Sequence, residues 1–230
     1  MTQNSLVGKL GRLLSQIPAK WDGRGSIIEM RDAGYPHWRQ MEWIGFYFQF
    51  LCEKNLSPLM ETPGPKYGKV EFDGLAEIPW DFKVHPIKDP KGKESTSVIL
   101  NDSVAIAKAI KQFGRAGLIL ASGDAEYNDK SRKFQRWHQK LKGGLSNYEE
   151  ERISRDAHSR LRKTSFALHE ISLYLLDVKN AKKLGSFQEG FRNSDGSPRN
   201  KKACLKLGNI SPIKTIKFKP SVSKKANSDG

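Results

Sequence analysis

Apolar residues recur three and four positions apart in the first stretch of the chain. Leu6, Val7, Leu10, Leu13, Leu14 and Ile17 predict an amphipathic helix over 4–17, ended by Pro18. A glycine-rich loop is expected at 22–25. Pro36 then opens a second helix over about 36–54, whose Trp38, Met41, Ile44, Tyr47 or Phe48, and Leu51 form a wide apolar face. The proline- and glycine-rich segment PLMETPGPKYG at 58–68 excludes regular structure. Two short extended runs, 69–73 and 78–85, read as a hairpin closed by a tight glycine-containing turn, and a charged loop at 86–96 follows.

The second half alternates in type. Asn101, Asp102 or Ser103 can cap a helix over 103–113, and AGLILASG at 116–123 is apolar throughout, which predicts a central strand buried on both faces. Helices are expected at 127–142 and 147–163, the second opened by Ser146 and Glu149 as a capping box. SFALHEISLYLLD at 165–177 fits no single period and is read as a buried strand. Residues 187–207 read as a hairpin turning at Ser194-Asp195-Gly196, and the tail after Pro220 as disordered. This order predicts an α/β fold with a central mixed β-sheet flanked by helices. A single domain over 1–220 suits the length, with a core at about 36–123, a basic part at about 127–219 and a tail at 221–230.

Composition narrows the class. The chain is 37% hydrophobic and 10% aromatic, too apolar for a disordered protein. The longest apolar run, 43–51, is interrupted by Gln49 and is about half of the ~20 residues a membrane span requires, so a soluble, non-membrane protein is expected. The N-terminal apolar residues are spread at helical spacing, unlike a secretory leader. Cys52 and Cys204 are too few for a disulfide framework or a zinc site and suit a reducing cytoplasm. The net charge of +15 is localised: residues 130–163 contribute +7, residues 199–230 contribute +8, and the rest sums to zero. Such a distribution favours a polyanionic partner.

Candidate chemistry lies in KVEFDGLAEIPWDFKVHP, residues 69–86. Strand alternation puts Asp81, Lys83 and His85 on one face of the second run, and Glu71 and Asp73 on one face of the first. A tight hairpin sets these faces side by side, so two carboxylates meet beside one ammonium. Carboxylates held together repel unless a cation joins them, and hard oxygen ligands in that number suit Mg²⁺, which leaves its other positions to water and substrate phosphate. Lys83 could then orient an attacking water.

This arrangement resembles the PD-(D/E)xK nucleases, the restriction-endonuclease-like fold. An acidic residue on one strand is followed there, across a hairpin, by an acid, any residue and a lysine on the next. The matching positions are Asp73, Asp81 and Lys83. The resemblance implies Mg²⁺ held by Asp73, Asp81 and the Phe82 carbonyl, with Glu42 as the acid on the preceding helix. Phe72 stands where the family has proline and the spacing from Asp73 to Asp81 is short, so Glu71 or Glu61 are alternative first acids. The resemblance covers about residues 36–123.

Two further acid-x-lysine triplets occur. Asp89-Pro90-Lys91 lies in a proline-containing loop, and Asp177-Val178-Lys179 ends an apolar run with its earlier acid, Glu170, out of phase. Only Asp81-Phe82-Lys83 has an acidic partner on a plausible neighbouring strand. In the C-terminal hairpin, Gln188, Arg192, Asn193, Arg199 and Asn200 are side chains of the kind that read base edges, and Lys201 and Lys202 suit phosphates. The expected function is therefore a Mg²⁺-dependent, sequence-specific double-stranded DNA endonuclease of the type II restriction class. A homodimer is expected, because a two-fold symmetric site needs two active sites. A structure-specific repair or recombination nuclease of the same fold and a non-catalytic nucleic-acid-binding protein are the alternatives.

Overall fold

The computed structural model describes residues 3–157, 160–187, 190 and 200–219. In chain order its elements are α1 (Gln3–Leu14), β1 (Lys20–Asp22), α2 (Gly23–Asp32), a 3₁₀ turn (Pro36–Arg39), α3 (Trp43–Leu56), β2 (Lys66–Tyr67), β3 (Val70–Glu71), β4 (Gly74–Ala76), β5 (Ile78–Pro86) and β6 (Ser97–Asp102). There follow α4 (Ser103–Phe113), β7 (Ala116–Glu126), α5 (Lys133–Leu141), α6 (Asn147–Ser154), β8 (Ser165–Leu176), α7 (Val178–Ala181), β9 (Gly185–Phe187), β10 (Lys202–Lys206) and β11 (Lys214–Lys217).

The main sheet has six strands in the order β1-β8-β7-β5-β4, with β11 also on β8. β5 and β7 run parallel and the other pairs antiparallel, so the sheet is mixed. Parallel neighbours need a long crossover, and α4 lies within the one that joins β5 to β7. β7 occupies one edge of β8 along its length, so β1, against 165–167, and β11, against 170–173, share the other edge. A second sheet, β6-β10-β9, has three strands.

Strand alternation divides the core into two layers. Trp80, Phe82, Ile119, Ala121, Phe166, Leu168, Ile171 and Leu173 belong to one cluster with Leu10, Leu14, Ile27, Met30, Phe48 and Leu51 of α1, α2 and α3. Leu118, Leu120, Tyr174 and Leu176 belong to the other, with Ala105, Ile106, Ala109 and Ile110 of α4 and Val98, Leu100, Ala203 and Leu205 of the second sheet. The apolar run at 116–123 is thus buried on both faces as expected, and the strand continues past it to the exposed Glu126.

Several elements differ from expectation. The glycines at 22–25 do not form a loop: Asp22 ends β1 and caps α2, its Oδ2 accepting from Gly25 N at 2.8 Å. Gly23 is there for close approach, since a Cβ would sit 2.7 Å from Thr164 O and 2.9 Å from the Phe134 ring. The helix expected at 36–54 is broken, with Gln40 in extended conformation at φ −73° and ψ 140°. Residues 41–43 are drawn instead to the segment before β8, where Trp43 Nε1 donates to Lys163 O at 2.8 Å and Lys163 pairs with Glu42 at 2.5 Å.

Helix α5 starts late because the buried Asp129 carboxylate accepts from Phe134 N and Gln135 N, at 3.0 and 3.1 Å, and so serves its first turn from outside. Helix α6 starts at the expected Ser146 cap but ends at Ser154, well short of residue 163. Strands β1, β2, β6 and β11 are additions to the expected set: β2 lies in the segment expected to be irregular and takes 70–71 as its partner, so β5 pairs with 74–76 and not with 69–73. Arms Gly185–Phe187 and Lys202–Lys206 pair as a hairpin around the residues expected to turn; that turn, like the tail at 221–230, lies outside the described residues. No helix among the described residues is long and apolar enough to cross a membrane.

Candidate active site

The site is built at the open end of the β4–β5 hairpin. The register pairs Ala76 with Ile78, Leu75 with Pro79 and Gly74 with Trp80. Asp73 comes one residue before β4, outside this ladder, and its carboxylate reaches the β5 backbone beside Asp81. The turn is made by Glu77 at φ 59°, not by a glycine. Gly74, expected in the turn, lies in the strand against Met60, whose Sδ would be 2.3 Å from an added Cβ.

Hydrogen bonds hold four residues together. Phe82 N donates to Asp73 Oδ2 at 2.6 Å. Lys83 Nζ lies 2.7 Å from Asp81 Oδ1 and 3.4 Å from the Phe82 carbonyl. Asp81 is only 5% exposed, an unusual place for a carboxylate without a full complement of partners. A second donor to Asp81 comes from the second sheet, where Asn101 Nδ2 reaches Oδ1 at 3.1 Å.

The electrostatics are unbalanced. Burial, then the charge of Asp81, push the Asp73 carboxyl up to about 8, against the opposing pull of Lys83 and the Phe82 amide. Burial alone would lower the Lys83 ammonium, but Asp81 and Asp73 outweigh it and raise it above its ordinary value. One cation therefore serves one buried and one half-buried carboxylate. The donor set is two carboxylates and the Phe82 carbonyl, and among the described residues no group of three or more His, Cys, Asp and Glu could hold a metal. Two carboxylates suit Mg²⁺, which keeps several waters, and fall short of an all-protein cage.

Comparison with known proteins finds no matching family model, no matching curated protein and no matching solved structure. The arrangement stands on its own geometry.

The other residues singled out lie elsewhere. Glu42 precedes α3 and pairs with Lys163, its side chain 59% exposed. Glu71 is exposed in the β2–β3 ribbon, paired with Lys66, because the chain leaves the main sheet before Gly74. Glu61 bridges Leu75 through its backbone, with N–O distances of 2.9 and 2.8 Å, and its side chain is exposed. His85 is buried with Nε2 2.8 Å from Ser95 O, and burial lowers its pKa; it ties down the 87–96 loop. Both rival triplets have local backbone duties: Asp89 accepts from Lys91 N and Lys93 N, and Asp177 accepts from Asn180 N to cap α7.

Gln188, Arg192, Asn193 and Arg199 lie outside the described residues. Of the remaining basic-hairpin residues, Asn200 donates to Asp102 Oδ2 at 2.9 Å, Lys201 O accepts from Ser103, and Lys202 begins β10. Asn101 is the site residue that sequence reasoning missed. It was legible as a helix cap, and no local pattern shows that it meets an aspartate 20 residues earlier.

Proposed function

We propose that this protein is a Mg²⁺-dependent double-stranded DNA endonuclease of the type II restriction class, on a restriction-endonuclease-like core. The observation that carries the reading is the pair Asp73, just ahead of β4, and Asp81 on β5, with Asp73 tied to the Phe82 amide and Lys83 on Asp81. The parallel β5–β7 pair and the helices on the sheet are compatible with such a core. Asp73, Asp81 and the Phe82 carbonyl would hold Mg²⁺. When bound, the ion neutralises charge on the phosphate and makes water a better nucleophile. Asp73 must give up its proton for this, and Lys83 holds Asp81 in place while its ammonium remains near any water approaching Phe82 O. The basic segments 130–163 and 199–219 supply phosphate contacts along a duplex. A homodimer brings two such centres to a symmetric site.

Digestion of an unmethylated plasmid with Mg²⁺ tests the reading. Discrete fragments are expected. Nicking confined to branched or damaged substrates would move the protein to repair or recombination, and DNA binding without any cutting would make it a non-catalytic binder.

A further inference from the structure

Asn101 reaches the site by an irregularity in its strand. In the β6–β10 ladder Lys202 faces Asp102 while Cys204 faces Ile99, so Leu100 and Asn101 together oppose the single residue Ala203. That is a β-bulge in β6, a device that re-aims one side chain. Strict alternation would put Asn101 on the same side as Ile99, which is 41% exposed, while Val98 and Leu100 point to the core. The bulge turns Asn101 inward instead, and its amide donates to Asp81 Oδ1, the oxygen already bound by Lys83. Two donors on Oδ1 fix the carboxylate from that side, and a cation shared with Asp73 would meet it from the side that Asp73 occupies.

The next two residues face a different partner. Asp102 Oδ2 accepts from Asn200 Nδ2 at 2.9 Å, and Ser103 donates to Lys201 O from its backbone N at 3.0 Å and from its Oγ at 3.2 Å. Three consecutive residues thus hold the buried carboxylate on one side and the return arm of the basic hairpin on the other. Without the bulge, alternation would exchange the two sides, with Asn101 outward beside Ile99 and Asp102 inward.

We infer that Asn101 is a positioning residue for Asp81, and that residues 101–103 transmit engagement of nucleic acid at 200–202 to the metal-binding carboxylate of Asp81. The inference rests on the nuclease reading for its ligands. Because linkage is reciprocal, a cation and a duplex that are coupled this way must tighten each other's binding by the same factor.

Affinity for a labelled mixed-sequence duplex, measured by fluorescence anisotropy with and without Ca²⁺ at constant ionic strength, reads that factor. Wild type should bind about tenfold more tightly with Ca²⁺. Asn101→Ala should reduce the gain to less than about twofold, and Asn101→Ser, which keeps a donor, should restore part of it. Asp102→Ala should remove the gain while leaving Ca²⁺ affinity of the DNA-free protein unchanged. An undiminished gain in both alanine variants would overturn the transmission. The positioning role is read separately, without metal or DNA, in a thermal-unfolding cycle of Asn101→Ala with Asp81→Ala: the two changes should be non-additive, and simple additivity would refute it. If wild type binds neither Ca²⁺ nor shows any Ca²⁺ effect on DNA while the cycle is non-additive, the nuclease reading fails, the transmission fails with it, and the positioning of Asp81 stands.

Discussion

Two regions of this molecule bury charge, and they do so on opposite terms. Under α5 and α6, Glu149 is fully buried and faces Arg162, 7% exposed, at 3.4 Å, while Gln135 donates to the same carboxylate at 3.3 Å. His138 is buried beside them, 3.0 Å from Trp38 O, and burial holds its pKa down to about 4. There one anion meets one cation. In the β4–β5 site two carboxylates share one ammonium, and burial with the charge of Asp81 pushes the Asp73 carboxyl up to about 8. Matched charge ties a fold together, whereas unmatched charge leaves a place for something the chain does not itself supply.

The largest test is on chemistry. Asp81→Ala should reduce Mg²⁺-dependent cleavage by about 10³-fold or more, and Lys83→Ala by about 10²–10⁴-fold, with metal-free duplex binding retained. Quantifying product from plasmid digests alongside anisotropy checks both. Asp177→Ala, which loses only the cap of α7, should cut normally.

Breaking the matched pair should instead show in stability. Arg162→Ala strands Glu149 in the interior and should lower unfolding free energy by about 3–5 kcal/mol in urea titrations. A loss no larger than that of an exposed ion pair would erase the distinction between the two regions.

Asp73→Asn should act in the other direction. Its carboxyl pKa is raised on folding from 3.8 to about 8, so the native state keeps a proton that the unfolded chain releases, and stability falls as pH rises through that window. The metal-free Asn variant should therefore be more stable than wild type by about 1–3 kcal/mol at pH 8–9, with the gain vanishing near pH 4. Thermal melts across pH follow it.

The smallest effect belongs to His138. Its pKa is depressed on folding from 6.5 to about 4, so the stability it contributes is present above pH 6.5 and is lost as pH falls toward 4. His138→Gln should flatten this acid limb by about 1–2 kcal/mol. An unchanged limb would assign acid sensitivity to other groups.

How much of this could be read from sequence depended on whether a feature was local. Alternation in IPWDFKVHP separates Trp80 and Phe82 from Asp81 and Lys83, and the structure keeps that separation. The run 165–176 defied any one period because His169 is an extra residue in β8: Ser122 pairs with Glu170 and Gly123 with Leu168. Phe166 and Leu168 before this bulge share a core layer with Ile171 and Leu173 after it, so the apolar parity switches from even to odd. Glycines at 23 and 25 suggested a loop, but Gly23 serves packing against a segment more than a hundred residues away. Glu42 was placed near the carboxylates by analogy, while Lys163, on a distant stretch, holds it elsewhere. Asn101 depended on a bulge in a second sheet, which periodicity does not reveal.

The shared edge of β8 bears on how the chain is made. Residues 19–22 and 213–218 together take up the hydrogen bonds that β8 offers from 165 to 173, through Leu168 N to Ala19 O, Ile213 N to Leu173 O and Phe218 N to His169 O. On the ribosome the hairpin with Asp81 emerges early, and β1 is already made when β8 appears, while the 170–173 part of this edge stays open until some forty residues after β8 have followed. An open, apolar strand edge is a template for pairing with another chain. Shortening the chain before Lys214 should leave β8 partly bare and turn a late step of synthesis into a site of self-association.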